Sequence, residues 1–151
     1  MAHLLKVDVT YAARRPWVPR RAQFKAWAGA ALTGARRASL LSVCVVGAAR
    51  SRRLNAEYRH KDRPTNVLSF TGAGFGPDGL NYLGELVICA PVVAREAVIQ
   101  GKSAESHWAH MTVHGVLHLL GFDHERDAEA RRMTAREIQI LDRLGFSDPY
   151  V

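Results

Sequence analysis

Three histidines near the end of the chain stand at a spacing that can close on one metal ion. They are His114, His118 and His124, in the run His114-Gly115-Val116-Leu117-His118-Leu119-Leu120-Gly121-Phe122-Asp123-His124. Residues four apart on an α-helix differ by about 40° in azimuth and about 6 Å in rise, so His114 and His118 leave one face and can grip the same ion. Gly121 can take the positive φ that turns the chain back at a helix end, which lets His124 return as a third ligand from another direction. Three imidazoles at about 2.0 to 2.1 Å leave a fourth tetrahedral position for water, the arrangement of a catalytic zinc rather than a structural one. The expected cofactor is one Zn2+ per chain, although the same donors also suit nickel, copper or iron. His110 is likewise four residues from His114. Nothing beyond His114 completes a second set around it, so it reads as a packing or supporting residue. His107 and His3 carry no specific signal.

The order His, His, Gly, His at these offsets is that of the metzincin zinc peptidases, which place a glutamate beside the first histidine as general base. Here that position is Gly115. A metallopeptidase-like hydrolase would keep its ligands and lose the group that activates water, which makes it the weaker alternative.

The charge distribution points to a polyanion. Residues 1–64 carry 14 Lys and Arg against Asp8, Glu57 and Asp62, a net +11, and the remainder of the chain is at −4. Phosphates drawn to such a surface release counterions, which favours RNA as a partner. Cys44 and Cys89 lie in apolar runs and are expected as buried free thiols. At 151 residues, 48% hydrophobic and 23% charged, residues 1–151 fit a single globular domain. No apolar stretch approaches the roughly 18 to 20 residues that span a bilayer, and Met1 to Thr10 lacks the pattern of a signal peptide, so a cytoplasmic protein with no membrane partner is expected.

The elements that must carry the histidines follow from periodicity. Leu4 to Thr10 alternates as a strand, and Phe24 to Leu32 reads as a helix ended near Gly34. Leu40 to Val46 suits a strand buried on both faces, and Ala49 to Tyr58 a short helix. Asn66 to Thr71 and Tyr82 to Ala90 read as strands pairing antiparallel across a flexible, glycine-rich loop, Gly72 to Asn81. Pro91 opens a helix to about Gln100. Ser103 caps another through about Leu120, and a last helix runs from about Arg126 to Leu144 with Met133, Ile138, Leu141 and Leu144 on or near its buried stripe. The order β-α-β-α-β-β-α-α-α predicts an α+β domain: a small four-stranded mixed β-sheet covered by about five α-helices, with the metal site on a helix-turn segment near the C-terminus.

The histidine segment resembles the H-G-x-L-H-L-x-G-[YF]-D-H signature of the YbeY-type rRNA maturation endoribonucleases. Leu54-Asn55-x-x-Tyr58-Arg59-x-Lys61-Asp62-x-Pro64-Thr65 into Val67-Leu68-Ser69-Phe70 is similar to a second motif of that family, and Leu83-Gly84-Glu85-Leu86-Val87-Ile88 to a third. Glu125, Met133, Glu137 and Ile140-Leu141 also stand in family-like positions, so the likeness covers about residues 40 to 145. Asn66 departs from it, since the family usually has Asp there; Asn66 can still accept a hydrogen bond but brings no charge.

The resemblance implies a zinc-dependent endoribonuclease that hydrolyses single-stranded RNA, acting in 3′-end maturation of the small-subunit (16S) rRNA and in ribosome quality control. Its partners would be rRNA and the small ribosomal subunit, with a ribosomal protein or an assembly GTPase besides. A divalent ion lowers the pKa of water toward about 7 and can polarise a phosphoryl oxygen. Arg59 matches the family's functional arginine, and its planar donor fork suits a phosphate. The basic residues Arg52, Arg53 and Lys61 beside it are further expected RNA contacts. For the general base there are two candidates, Glu85 by its motif position and Asp123 beside a ligand, where it could instead orient a histidine. A ribosome assembly factor with a structural metal is the other alternative.

Overall fold

The computed structural model describes residues 5–32 and 38–151. Leu4 at the expected strand start, Gly34 at the expected helix end, His3, and Arg36 and Arg37 of the basic half lie outside the described residues. The elements run β1 (Leu5–Tyr11), α1 (Arg21–Ala31), β2 (Ser39–Val46), α2 (Ala48–Arg59), β3 (Val67–Phe75), β4 (Asn81–Cys89), α3 (Ala90–Ile99), α4 (Ala104–Leu119) and α5 (Asp127–Arg143). This is the α+β order that periodicity predicts. The sheet order is β1-β2-β4-β3, with β1, β2 and β4 parallel and β3 antiparallel to β4 at one edge.

Side-chain alternation splits the core in two. Leu41, Val43 and Val45 of β2 and Leu83, Leu86 and Ile88 of β4 face α1, α4 and α5, in one cluster with Phe24, Trp108 and Leu117. Cys44, Val46, Val87 and Cys89 face the other way, toward Leu54 of α2 and Val92 of α3. Both cysteines are buried and free, as their apolar runs predict. The second half of β2, Val43–Val46, is covered on both faces, whereas Leu40 and Ser42 are only half-buried.

One expectation about element shape needs correction. Half of the Gly72 to Asn81 segment is strand, because β3 continues to Phe75 and β4 begins at Asn81, which leaves 76–80 as the connecting turn. Gly72 serves close backbone approach, since a Cβ there would lie 2.2 Å from the Tyr82 carbonyl oxygen, while Gly74 and Gly79 supply positive φ. The pairing register shifts between Thr71 and Gly74, a bulge that glycine tolerates. On α5 the buried stripe is Met133, Glu137, Ile140 and Leu141, with Ile138 only half-buried. Helical periodicity counted from Met133 passes through a carboxylate, which a search for apolar residues alone skips.

Helix α4 is the central element, packing against α1, α3, α5, β3 and β4. Ser103 Oγ accepts from the Ser106 N–H at 3.1 Å and fixes its start. Its end is a Schellman turn: the Phe122 N–H donates to the Leu117 carbonyl at 3.0 Å and the Gly121 N–H to the His118 carbonyl at 3.0 Å, with Gly121 at φ +97°. Nothing lies within 4 Å of a Cβ built on Gly121. Gly121→Ala should therefore cost only backbone strain, about 1 to 2 kcal/mol in urea unfolding. A neutral effect would mean that Gly121 does not set the turn.

Candidate metal centre

The turn after α4 brings His124 back over the helix end. His114, His118 and His124 each present a ring nitrogen, and these atoms lie within 4.8 Å of one another. The two Nε2 atoms of His114 and His118 are 3.1 Å apart. Two ligands on a tetrahedral ion with bonds of about 2.0 to 2.1 Å would sit roughly 3.3 Å apart, so the pair is already spaced for a shared ion. The ring centroids of His118 and His124 are 5.1 Å apart, close enough for the third imidazole to join with a small movement. The donor set fits a divalent transition metal, in agreement with the spacing argument.

Behind the histidines stands a carboxylate that the apolar pattern of α5 conceals. Glu137 is 1% exposed. Its Oε1 meets Nδ1 of His114 at 2.7 Å, and its Oε2 meets Nε2 of His110 at 2.6 Å and the Tyr150 hydroxyl at 2.6 Å. With His114 donating through Nδ1–H, its Nε2 lone pair is directed to the ion site, the arrangement that holds many metal-bound imidazoles. His110, Nδ1 of which is buried without a partner among the described residues, donates through Nε2 in its neutral form. The set His110, His114 and Glu137 could itself be read as metal ligands. Their separations of 2.6 and 2.7 Å are those of charge-assisted hydrogen bonds and leave no room for an ion between them.

The electrostatics follow from this packing. Burial opposes ionisation of Glu137, but the hydrogen bonds from His110 and His114, the electrostatic attraction of His114 and the Tyr150 hydroxyl together bring its carboxyl down to about 2. Burial, reinforced by the neighbouring His114 and His124, lowers the His118 imidazole, which favours the neutral form that binds metal.

Facing the histidines is a cleft of about 740 Å³. Its opposite wall is the end of α2 and the edge strand β3, and it carries Arg59, Lys61 and Arg63. The connection that bears Lys61 and Arg63 is latched to α2 by two buried polar residues. Ser51 Oγ donates to the Thr65 carbonyl and accepts from the Thr65 N–H, each at 3.0 Å, and Asn55 Nδ2 donates to the Arg63 carbonyl at 2.8 Å. Arg59 is exposed and reaches the Ser69 carbonyl through Nη2 at 3.3 Å. Asp123 lines the cleft and its Oδ1 accepts the His124 N–H at 2.7 Å, which steadies the third histidine.

Other sequence candidates are placed elsewhere. Arg52 is engaged by Asp62 in a two-pronged pair at 2.7 and 3.0 Å, and neither it nor Arg53 lines the cleft. Glu85 is exposed on β4 and, by alternation with Leu86, projects to the sheet face covered by α2, so it does not join the histidines. Arg63, Glu137 and Tyr150 are the positions that residue spacing did not single out for the site; a charged residue on the α5 stripe was the available signal for Glu137. At Gly115 a Cβ would meet Leu86 Cδ2 at 2.7 Å, and the Gly115 carbonyl accepts from Ser69 Oγ at 3.1 Å. That side of α4 is pressed on the sheet, not turned to the cleft. Asn66 Oδ1 accepts the Val67 N–H at 2.7 Å, as an aspartate would, while its Nδ2 donates to Glu96 at 3.1 and 3.3 Å, which an aspartate could not do.

Comparison with known proteins agrees across nearly the whole chain. A family model described as Endoribonuclease YbeY matches residues 18–145. Proteins named Endoribonuclease YbeY from Stenotrophomonas maltophilia (strain R551-3) and Nitrosococcus oceani are 51% and 46% identical, covering 97% of this chain and 93% and 97% of those proteins. A solution structure of a Thermotoga maritima protein aligns with a TM-score of 0.59 over 92% of this chain and 87% of that one, at 20% identity, and supports the fold alone.

Replacing Glu137 by Gln should weaken metal binding about ten- to hundredfold in competition with a chelating dye; unchanged affinity would remove Glu137 from the centre. In the metal-free protein the same carboxyl sets an acid dependence. Its folded value lies below its unfolded value of about 4.3, so its contribution to stability is present above that value and is lost as the pH falls toward 2. Urea midpoints should fall over that window in the wild type and fall less steeply in Glu137→Gln.

Proposed function

We propose that the three-histidine centre cleaves RNA, on the premise that the chain belongs to the YbeY endoribonuclease family. The observation that carries this reading is the cleft itself: imidazoles suited to a metal on one wall, and Arg59, Lys61 and Arg63 on the other. Those three cations would hold the phosphates of a strand lying between the walls. Arg59, exposed in the cleft and with guanidinium N–H groups beyond the Nη2 contact to the Ser69 carbonyl, is the one proposed to bind the scissile phosphate. A divalent ion on His114, His118 and His124, proposed to be zinc, would supply a Lewis acid that lowers the pKa of water toward about 7 and draws charge from a phosphoryl oxygen.

The protein's own groups supply the rest. Glu137 keeps His114 in the tautomer that offers Nε2, and Asp123 holds His124 through its backbone. Of the two carboxylates proposed as proton acceptor, Asp123 is in the cleft, while Glu85 on the far sheet face could reach a substrate only where RNA wraps that edge. Arg52 and Arg53 would likewise act outside the cleft, on flanking RNA. The single-strand preference of the proposed substrate rests on the family likeness. The family likeness and the basic first half support precursor 16S rRNA on the small ribosomal subunit as the substrate, with 3′-end maturation and ribosome quality control as the roles. A ribosomal protein or an assembly GTPase would complete the partners, in the cytoplasm. Among the described residues no helix is long and apolar enough to cross a membrane.

The metallopeptidase alternative is disfavoured by a steric fact as well as a missing residue. A glutamate at 115 would have to enter the space of Leu86, which is itself fully buried. The assembly-factor alternative, with a structural metal, is separated from catalysis by experiment. His114→Ala should lose both the metal and cleavage of single-stranded RNA. Arg59→Glu should lower cleavage by about 10²-fold or more with metal content intact. A histidine variant that restores 16S rRNA maturation in cells would favour the assembly factor, and casein cleavage by the wild type would favour the peptidase.

A further inference from the structure

The segment after α5 folds back toward the metal centre, held by contacts along its length. α5 ends like α4, with the Phe146 N–H on the Leu141 carbonyl at 2.9 Å, the Gly145 N–H on the Asp142 carbonyl at 3.0 Å and Gly145 at φ +90°. Trp27 and Phe146 pack edge to face at 6.4 Å, which pins the start of the returning segment. Asp148 Oδ1 then accepts the Tyr150 N–H at 2.8 Å and turns the chain inward. The Tyr150 ring meets the His110 ring edge to face at 5.3 Å, and its hydroxyl reaches Glu137 Oε2. Although the residue as a whole is 53% exposed, its polar end is spent on a buried carboxylate.

We infer that Tyr150 is a positioning residue for the metal centre, holding the Glu137 carboxylate so that His114 keeps Nδ1–H and offers Nε2 to the ion. Glu137 Oε1 serves His114, and Oε2 is shared by His110 and Tyr150. Without the hydroxyl, Oε2 is held by His110 alone, and the carboxylate can rotate away from His114. A buried carboxylate that loses a donor also pays a desolvation cost, which favours such a rearrangement. Burial and the Glu137 charge raise the Tyr150 phenol, so it stays protonated and able to donate at every working pH. No other described residue donates to that oxygen from outside α4, so the returning segment is an integral part of the site rather than a loose end.

This inference rests on the metal-centre reading, and the test keeps the two apart. Full-length protein labelled with 15N-histidine is compared as wild type, Tyr150→Phe, Glu137→Gln and the double variant, metal-free at about pH 8.5, where free imidazoles are neutral. The Phe variant keeps the ring packing on His110 and removes only the hydroxyl. In the wild type His114 should be the Nδ1–H tautomer; in Tyr150→Phe an Nε2–H population should appear and zinc affinity should fall about three- to tenfold. The double variant should bind zinc no more weakly than Glu137→Gln alone, because the tyrosine acts through that carboxylate. An unchanged His114 tautomer in Tyr150→Phe, or losses that add in the double variant, would overturn the inference. Absence of zinc binding by the wild type would overturn the metal-centre reading instead, and the tautomer comparison would still decide the role of Tyr150.

Discussion

A carboxylate buried between two helices is the constraint on which the rest of this molecule turns. An ionised Glu137 taken out of water would be severely unfavourable alone, and its charge is tolerated because three donors converge on it. Two of them, His110 and His114, come from α4, and the third, Tyr150, from the segment beyond α5. Meeting that requirement fixes the register of α5 against α4 and draws the following chain back over both. The same requirement orients His114, so the polar knot that the fold must satisfy is also what prepares the first histidine for a metal.

The remaining parts are arranged around α4. Its sheet-facing side is pressed so closely that Gly115 lies against Leu86 and Ser69, and the adjoining side carries the histidines. The Schellman turn at Gly121 then delivers Asp123 and His124. Across the cleft, Ser51 and Asn55 hold the connection that carries Lys61 and Arg63 close beside Arg59. A rigid helix thus bears one half of the site, and a short, latched connection bears the half that would meet an extended substrate.

Much of this was legible in the residues. The spacing of His114, His118, Gly121 and His124 is a statement about helix geometry and a left-handed turn, and both are local, so a sequence displays them directly. Element order and the antiparallel β3-β4 pair were equally readable from periodicity. What escaped was non-local. Glu137 looks like a surface residue until Met133, Ile140 and Leu141 are counted as one stripe, and Tyr150 carries no pattern at all. Glu85 shows the converse: its motif suggested chemistry, but strand alternation sends it to the face away from the histidines. Arg52 was expected as an RNA contact, yet Asp62, ten residues away in sequence, engages it. The glycines of 72–76 read as looseness because composition cannot distinguish a loop from strands in close contact.

The central claim is that the metal sits on the outer imidazoles with Glu137 behind them. X-ray absorption at the zinc edge of the loaded protein tests it most directly. Three imidazole nitrogens at about 2.0 to 2.1 Å with one further light atom would agree with the site on His114, His118 and His124. Two imidazoles with a carboxylate oxygen bound directly would place the ion between His110, His114 and Glu137 and contradict it.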